Sequence, residues 1–251
     1  MAHFYLDDTL DAQLGEAGRE VGAVVRLRGA DARHAAAVSR VRPGERLRLG
    51  DGAGVVVLGT VLSAESAEVA LEVERVERTQ QPAPRIHLVQ ALAKGDRDER
   101  AVQAATELGV DVVVPWQAAR SVSRWDAAKA VKGRERWTTI AREASKQSLR
   151  PWLPEVEAVA TTKQLVERAS SAMVLVLDPL GEVAVSSLTA ADLGDHDVVL
   201  VVGPEGGISD EEFAALYAAG ARRVRLGSTV LRTSTAGPAA IAVLSARLGR
   251  W

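Results

Sequence analysis

Up to about Arg78, apolar and polar residues alternate with period two, the signature of half-buried strands. "AVVRLRG" and "RLRLGDGAGVVVLGTVLSAESAEVALEVERVER" carry this pattern, and Asp51-Gly52-Ala53-Gly54 reads as a hairpin turn between two strands. "ADARHAAAVSRV" breaks the alternation and predicts a short helix. Several short strands and one helix predict a small barrel. Such a barrel either presents a face to RNA or only packs on its neighbour, and the pattern leaves both open. "TQQPAPR" follows, with two prolines and no apolar anchor, and reads as a linker.

Beyond the linker the pattern changes. "RIHLVQAL", "DVVVP", "AMVLVLDP", "DVVLVVGP" and "RRVRLG" read as strands. Between them "DRDERAVQAATELGV", "KGRERWTTIAREASKQS" and "SDEEFAALYAAG" read as amphipathic helices. Uninterrupted apolar strands separated by helices predict an α/β domain, a parallel sheet covered on both faces. The expected division is a barrel at 1–78, a linker at 79–84 and the α/β domain at 85–251.

Composition narrows this picture mainly by exclusion. A chain of 251 residues accommodates one small and one medium domain. It has no cysteine, which excludes disulfides, thiolate catalysis and cysteine zinc sites. The four histidines (His3, His34, His87, His196) lie far apart, so no metal site is expected. No apolar run approaches the roughly 20 residues that span a bilayer. The opening "MAHFYLDDTLDAQLGEAG" has early acids and no apolar h-region, unlike a signal peptide. A soluble, cytoplasmic, metal-free protein with no membrane partner is the expectation.

The net charge of −2 hides a local asymmetry. From Arg120 to Trp152 nine lysines and arginines face three acids, a local charge of +6, interleaved with Trp125, Trp137 and Trp152. That mixture suits phosphates and unstacked bases. A solvated helix face with core tryptophans accounts for it equally well.

The candidate chemistry lies in "VVLVVGPEGGISDEEF", Val198 to Phe213. In open parallel sheets ligands bind at the carboxyl ends of strands, where this segment turns. Pro204 fixes one backbone angle, while Gly206 and Gly207 permit close approach and positive φ. Ser209 and Glu212 match a capping box, so helix initiation alone explains half of the motif. The corner is neither G-x-G-x-x-G nor a P-loop, and Asp210, Glu211 and Glu212 would repel a phosphate. A neutral or cationic ligand is expected there. A second stretch, "RVRLGSTVLRTSTAGPAAIAVLSARLG", places an isolated Arg232 in a loop beside Thr233, Ser234 and Thr235. In the helix after it, Ala236, Ala239, Ala240, Val243 and Leu244 share one face, which is either core or a subunit interface.

"VVGPEGGISDEEF…LG…VLRTSTA" resembles the carboxyl-terminal half of the SPOUT methyltransferases, whose chain forms a trefoil knot. "VQALAKGDRDERAVQAATELGV", "RWDAAKAVKGRERWTTIAREASKQSLRPWLP" and the amino-terminal barrel are similar to one branch, the 16S ribosomal RNA uridine-N3 methyltransferases. The resemblance implies an α/β SPOUT domain with a knotted parallel sheet, preceded by a PUA-like barrel. It implies S-adenosyl-L-methionine (AdoMet) as cofactor, small-subunit ribosomal RNA in a ribosomal particle as substrate, and a homodimer. The cofactor contacts it implies are Leu177, Pro179, Val202, Gly203, Pro204, Glu205, Gly206, Gly207, Leu226, Gly227, Leu231 and Thr233.

Arg232 is the implied catalytic residue, with a phosphate clamp as its rival role. It stays protonated and so is no base, but it can stabilise charge on uracil oxygens. The implied RNA contacts are Lys94, Arg124, Gln147 and Arg150. The chain departs from the family at Ser234, where the family has glutamate, at Lys146, often glutamate, and near His3, usually arginine. Two rivals remain open: a SPOUT enzyme for a ribose 2′-hydroxyl or a tRNA base, and a non-catalytic RNA-binding assembly factor.

Overall fold

The computed structural model describes residues 4–18 and 20–251, so His3 lies outside the described residues. The chain divides into two compact units. The first takes the chain up to Gln81 together with Ser145–Leu153, and the second takes Pro82–Ala144 and Pro154–Trp251.

The first unit is a curled five-stranded sheet of β1 (Phe4–Leu6), β2 (Val24–Arg28), β3 (Arg46–Gly50), β4 (Val55–Ala64) and β5 (Glu68–Arg78). The strand order is β1-β3-β4-β5-β2; β1 runs parallel to β3 and the other pairs are antiparallel. In β2 the alternation buries Val25 and Leu27 and leaves Val24, Arg26 and Arg28 outside. Register shifts at Leu58/Gly59 and Val61/Ser63 bend the long β4–β5 pair. The expected turn after Asp51 is present: its Oδ1 accepts the N–H groups of Ala53 (2.7 Å) and Val55 (2.9 Å). At Gly54 (φ +102°) a Cβ would lie 2.5 Å from the Thr79 carbonyl oxygen, so only glycine fits.

The returning segment Ser145–Leu153 is fastened to this sheet. Gly54 N–H donates to the Pro151 carbonyl (3.0 Å), Leu153 N–H to Gly52 (2.9 Å), and Trp152 Nε1 to Thr79 (3.1 Å). Lys146 Nζ meets Asp31 Oδ1 at 2.8 Å, with both side chains largely buried. This accounts for a lysine at a position where the resemblance expects glutamate: its partner here is an aspartate.

The second unit is a seven-stranded parallel sheet: β6 (Ile86–Ala91), β7 (Val112–Trp116), β8 (Glu155–Val156), β9 (Met173–Leu177), β10 (Val183–Ala184), β11 (Val198–Val202) and β12 (Arg222–Arg225). Their order is β10-β12-β9-β11-β6-β7-β8. The five strands expected from the apolar runs are all present. The structure adds β8 and β10, two-residue edge strands too short to leave a periodic trace. Helices α3 (Arg97–Glu107), α4 (Ala127–Gln147) and α8 (Thr233–Arg247) supply the core on one face, through Val102, Trp137 and Ile241 among others. On the other face α5 (Thr162–Arg168) and α7 (Asp210–Ala218) pack through Leu165 and Leu216. Central strand β11 feeds both: Val198, Leu200 and Val202 enter the first core, Val199 and Val201 the second. That double burial is why its sequence is unbroken "VVLVV".

Candidate functional site

Strands β9, β11 and β12 end side by side, and their three following loops enclose a cavity of about 480 Å³. The first loop contributes Leu177, Asp178 and Pro179. Val202, Gly203, Pro204, Glu205, Gly207 and Ile208 come from the second, and Leu226, Gly227, Thr229, Val230, Leu231, Arg232 and Thr233 from the third. Arg97 and Ala236 complete the wall. Of the positions named from sequence for this pocket, the lining omits Gly206. A Cβ there would lie 3.2 Å from Arg120 Cβ and 3.3 Å from the Arg120 carbonyl oxygen, on the outer side of the corner.

The corner is held from several directions. Gly207 (φ +74°) closes a turn through its N–H to the Pro204 carbonyl (2.9 Å). The capping box is formed: Ser209 Oγ accepts the Glu212 N–H and Glu212 Oε2 accepts the Ser209 N–H, both at 3.2 Å. Glu212 also accepts from Ala119 N–H and Thr162 Oγ1, each at 2.8 Å, so one carboxylate anchors the start of α7 to two neighbouring segments. Arg120 donates to the Gly206 and Ile208 carbonyls at 3.4 Å. Thr233 Oγ1 donates to the Gly203 carbonyl (2.8 Å) and accepts from Gln90 Nε2 (2.9 Å). The fully buried Gln90 keeps its amide oxygen without a partner among the described residues.

Two carboxylates reach the pocket, each with a cation. Asp178 Oδ2 accepts from Arg223 at 3.1 Å, while its Oδ1 caps the Leu180 N–H at 2.7 Å. Glu205 Oε1 accepts from Arg97 (2.5 Å) and from the Lys94 N–H (3.2 Å). Burial works against the charge of Glu205. Its own backbone N–H, Arg97 and Lys94 outweigh that and hold its carboxyl below the usual range.

Arg232 sits at the N-cap of α8, exposed, its carbonyl accepting from Thr235 (2.8 Å) and Ala236 (3.0 Å). Its guanidinium has no ion-pair partner among the described residues, although it lines the pocket. Ser234 is half-buried in the first turn of α8 and does not line the cavity. On the small-residue face of α8, Ala240 and Leu244 are fully buried in the core of this single chain; Ala236, Ala239 and Val243 are half-buried.

The expected RNA contacts are distributed over both units. Lys94 is exposed, its backbone N–H donating to Glu205 Oε1 (3.2 Å), and Arg124 is exposed with one donor on the Ala119 carbonyl (3.0 Å). Both belong to the second unit; Gln147 (exposed) and Arg150 (half-buried) belong to the first. Arg97, Arg120 and Asp178 are the charged neighbours of the pocket that the contacts named from sequence leave out. Asp178 stands between two named positions and has a signal; Arg97 and Arg120 arrive from distant elements and have none. No group of acids and histidines suited to a metal occurs among the described residues, and no helix there is long and apolar enough to cross a membrane.

With this geometry in view, the comparisons are specific. Residues 79–245 match the RNA methyltransferase domain and residues 27–74 match the RNA methyltransferase PUA domain. The Ribosomal RNA small subunit methyltransferase E of Mycobacterium bovis is 43% identical over 237 residues, covering 92% of this chain and 90% of its own. The Bacillus subtilis protein of the same name is 32% identical over 226 residues, covering 87% and 88%. The crystal structure of the Neisseria gonorrhoeae enzyme of that name, bound to S-adenosyl methionine, superimposes with a TM-score of 0.84 at 28% identity over 98% of both chains. The chain belongs to the RNA methyltransferase family, with a PUA domain ahead of its α/β methyltransferase domain.

Proposed function

We propose that the protein methylates N3 of a uridine in small-subunit ribosomal RNA, using AdoMet and acting in the cytoplasm on a ribosomal particle as a homodimer. The observation that carries this reading is the pocket itself, where three strand-end loops leave backbone groups, apolar walls and one unpaired arginine around a single cavity. Its volume lies within the range of small-molecule sites. Leu177, Pro179, Val202, Leu226 and Leu231 supply apolar surface for a neutral base, and the lining holds no lysine and no P-loop sequence. The residues therefore fit AdoMet better than a nucleotide polyphosphate. Insertion of β11 between β6 and β9 supports the knotted threading that the resemblance implies.

When bound, AdoMet supplies an electrophilic methyl carbon. The chain's own residues do the rest. The glycine corner and the loop ends hold the cofactor through backbone groups. Thr233, bridging Gln90 and Gly203, fixes the start of α8 and with it the position of Arg232. The guanidinium of Arg232 stabilises negative charge on a uracil oxygen as the N3 proton passes to solvent, the role of an oxyanion donor. Arg232 cannot take that proton itself, because guanidinium stays protonated. The target uridine must be unpaired or flipped, since N3 is hidden in a base pair. Lys94, Arg124, Gln147 and Arg150 contact the RNA around it, and the half-buried residues of α8 join the two subunits.

The test is nucleoside analysis of small-subunit RNA incubated with the protein and labelled AdoMet. The expected product is 3-methyluridine. A labelled ribose, a labelled base other than N3-methylated uracil or an unlabelled product overturns the assignment.

A further inference from the structure

The first unit distributes its arginines unevenly. Six of them are held in ion pairs within the unit: Arg26 and Arg28 share Glu68, Arg46 meets Glu74, Arg48 and Arg75 share Glu77, and Arg78 meets Asp11 and Glu20. Arg33, Arg40 and Arg42 are exposed and have no ion-pair partner among the described residues. They lie on one strip. From Ala32 to Gly44 the chain carries these three arginines and no carboxylate. Asp31, just before the strip, is committed to Lys146, and Glu45, just after it, accepts the Arg42 backbone N–H at 3.2 Å.

The same strip holds two rare backbone features. After α2 (Gly29–Arg33), residues His34–Val38 form a π-helical turn, closed by the Ser39 N–H on the His34 carbonyl (2.9 Å). Arg40 then takes φ +52°, one of two non-glycine residues with positive φ among those described. A glycine would adopt that angle without strain, so the turn alone does not account for an arginine. π-turns and left-handed non-glycine residues concentrate at functional sites. Rigid support lies beneath the strip: Tyr5 Oη donates to Ser39 Oγ (2.8 Å), its ring meets His34 edge-on at 6.0 Å, and Ala35 and Val41 are buried.

Resting on the reading of this chain as a ribosomal RNA methyltransferase, we propose that the strip Arg33–Arg42 is a contact surface for the phosphate backbone of the RNA substrate. Arg33, Arg40 and Arg42 each engage phosphate. Guanidinium forks match phosphate geometry, and three uncompensated cations on a pre-set backbone pay little ordering entropy on binding. The six arginines already engaged by carboxylates contribute less to this contact.

The experiment measures binding of small-subunit ribosomal RNA by fluorescence anisotropy across a series of KCl concentrations, together with methyl-transfer kinetics. Each phosphate contact removed should flatten the slope of log K against log salt by about 0.7 to 0.9. The triple variant Arg33→Ala/Arg40→Ala/Arg42→Ala is therefore expected to lose about two to three from the slope and to raise KM for RNA at least tenfold. Its calorimetric AdoMet affinity should be unchanged. Arg40→Gly, which relieves the backbone, should keep or raise the melting temperature and still lose about one from the slope. Arg26→Ala and Arg75→Ala should leave the slope as it is. If wild type methylates RNA and the triple variant keeps its slope and KM, the surface is wrong and the function stands. If wild type neither binds nor methylates ribosomal RNA, the function fails and the surface with it.

Discussion

Two walls of the pocket are built differently. The corner from Gly203 to Ser209 is tied by a turn, a capping box, Thr233 and Arg120, and Glu212 fastens its far end to Ala119 and Thr162. Opposite it, Gly227 to Leu231 are all exposed, and Val230 stands 77% open to solvent. The contrast teaches which part is preformed. A wall with satisfied backbone groups holds its shape before ligand arrives, whereas an exposed segment with few buried contacts opens at little cost. On this contrast the first wall is expected to fix where a ligand goes and the second to follow it.

The largest test of this comparison is at the junction of the loose wall with α8. Arg232→Ala is expected to lower the single-turnover rate by about 10² or more while AdoMet affinity changes far less, as the proposed backbone-held cofactor requires. Arg232→Lys should recover only part of the rate, because a point charge does not reproduce a planar fork. Weakened RNA binding with an intact rate would make Arg232 a phosphate clamp instead.

Next comes the rigid wall. Thr233→Val leaves the Gly203 carbonyl and the Gln90 amide without their shared hydroxyl. Unsatisfied buried groups cost about 1–3 kcal/mol, so calorimetric AdoMet affinity should fall roughly tenfold. An unchanged affinity would show that this bridge does not shape the site.

Hydrogen exchange then compares the walls directly. Without ligand, amides of 227–231 should exchange fast and those of 207–212 slowly. Adding AdoMet should protect the first set several-fold and barely alter the second. Equal protection of both before ligand is added would remove the contrast.

The smallest effect concerns Glu205. Its carboxyl is held below the ordinary value of 4.5, so its stabilising charge is fully present above that value and is lost as pH falls through the lower, folded one. Below about pH 4.5, wild type should lose urea resistance slightly faster than Glu205→Gln, and above it the two should run parallel. A parallel course throughout would mean that the pair with Arg97 contributes nothing measurable.

Legibility in the sequence followed the range of the interaction. Strands β9 and β11 announce themselves because burial on both faces demands unbroken apolar residues, and the Ser209–Glu212 box because its partners are three residues apart. The resemblance names Gly206 as a cofactor contact; that a Cβ there would meet Arg120, a neighbour 86 positions away, is not legible in the sequence. Ser145–Leu153 joins the first unit through backbone bonds to Gly52 and Gly54 and through Lys146 and Trp152, whose partners Asp31 and Thr79 are too far away in sequence to leave a local pattern. The "ADARHAAAVSRV" stretch reads as one short helix; the π-turn within it depends on Tyr5 and Ser39, again a distant pair.

The position of β11 has a consequence for how the chain is made. Its Val198 pairs with Ile86 of β6, a partner 112 residues earlier, and with Met173 of β9 on the other edge. On a translating ribosome adding roughly 5–20 residues per second, β6 waits about 6–20 seconds for the strand that completes it. Through that interval one edge of β6 lacks its partner strand, and the edge of β9 joins it unpaired only near the end. Pairings this distant also close slowly once the chain is released. Nascent chains halted just before Val198 should therefore be the species most prone to stick to one another and most in need of a chaperone.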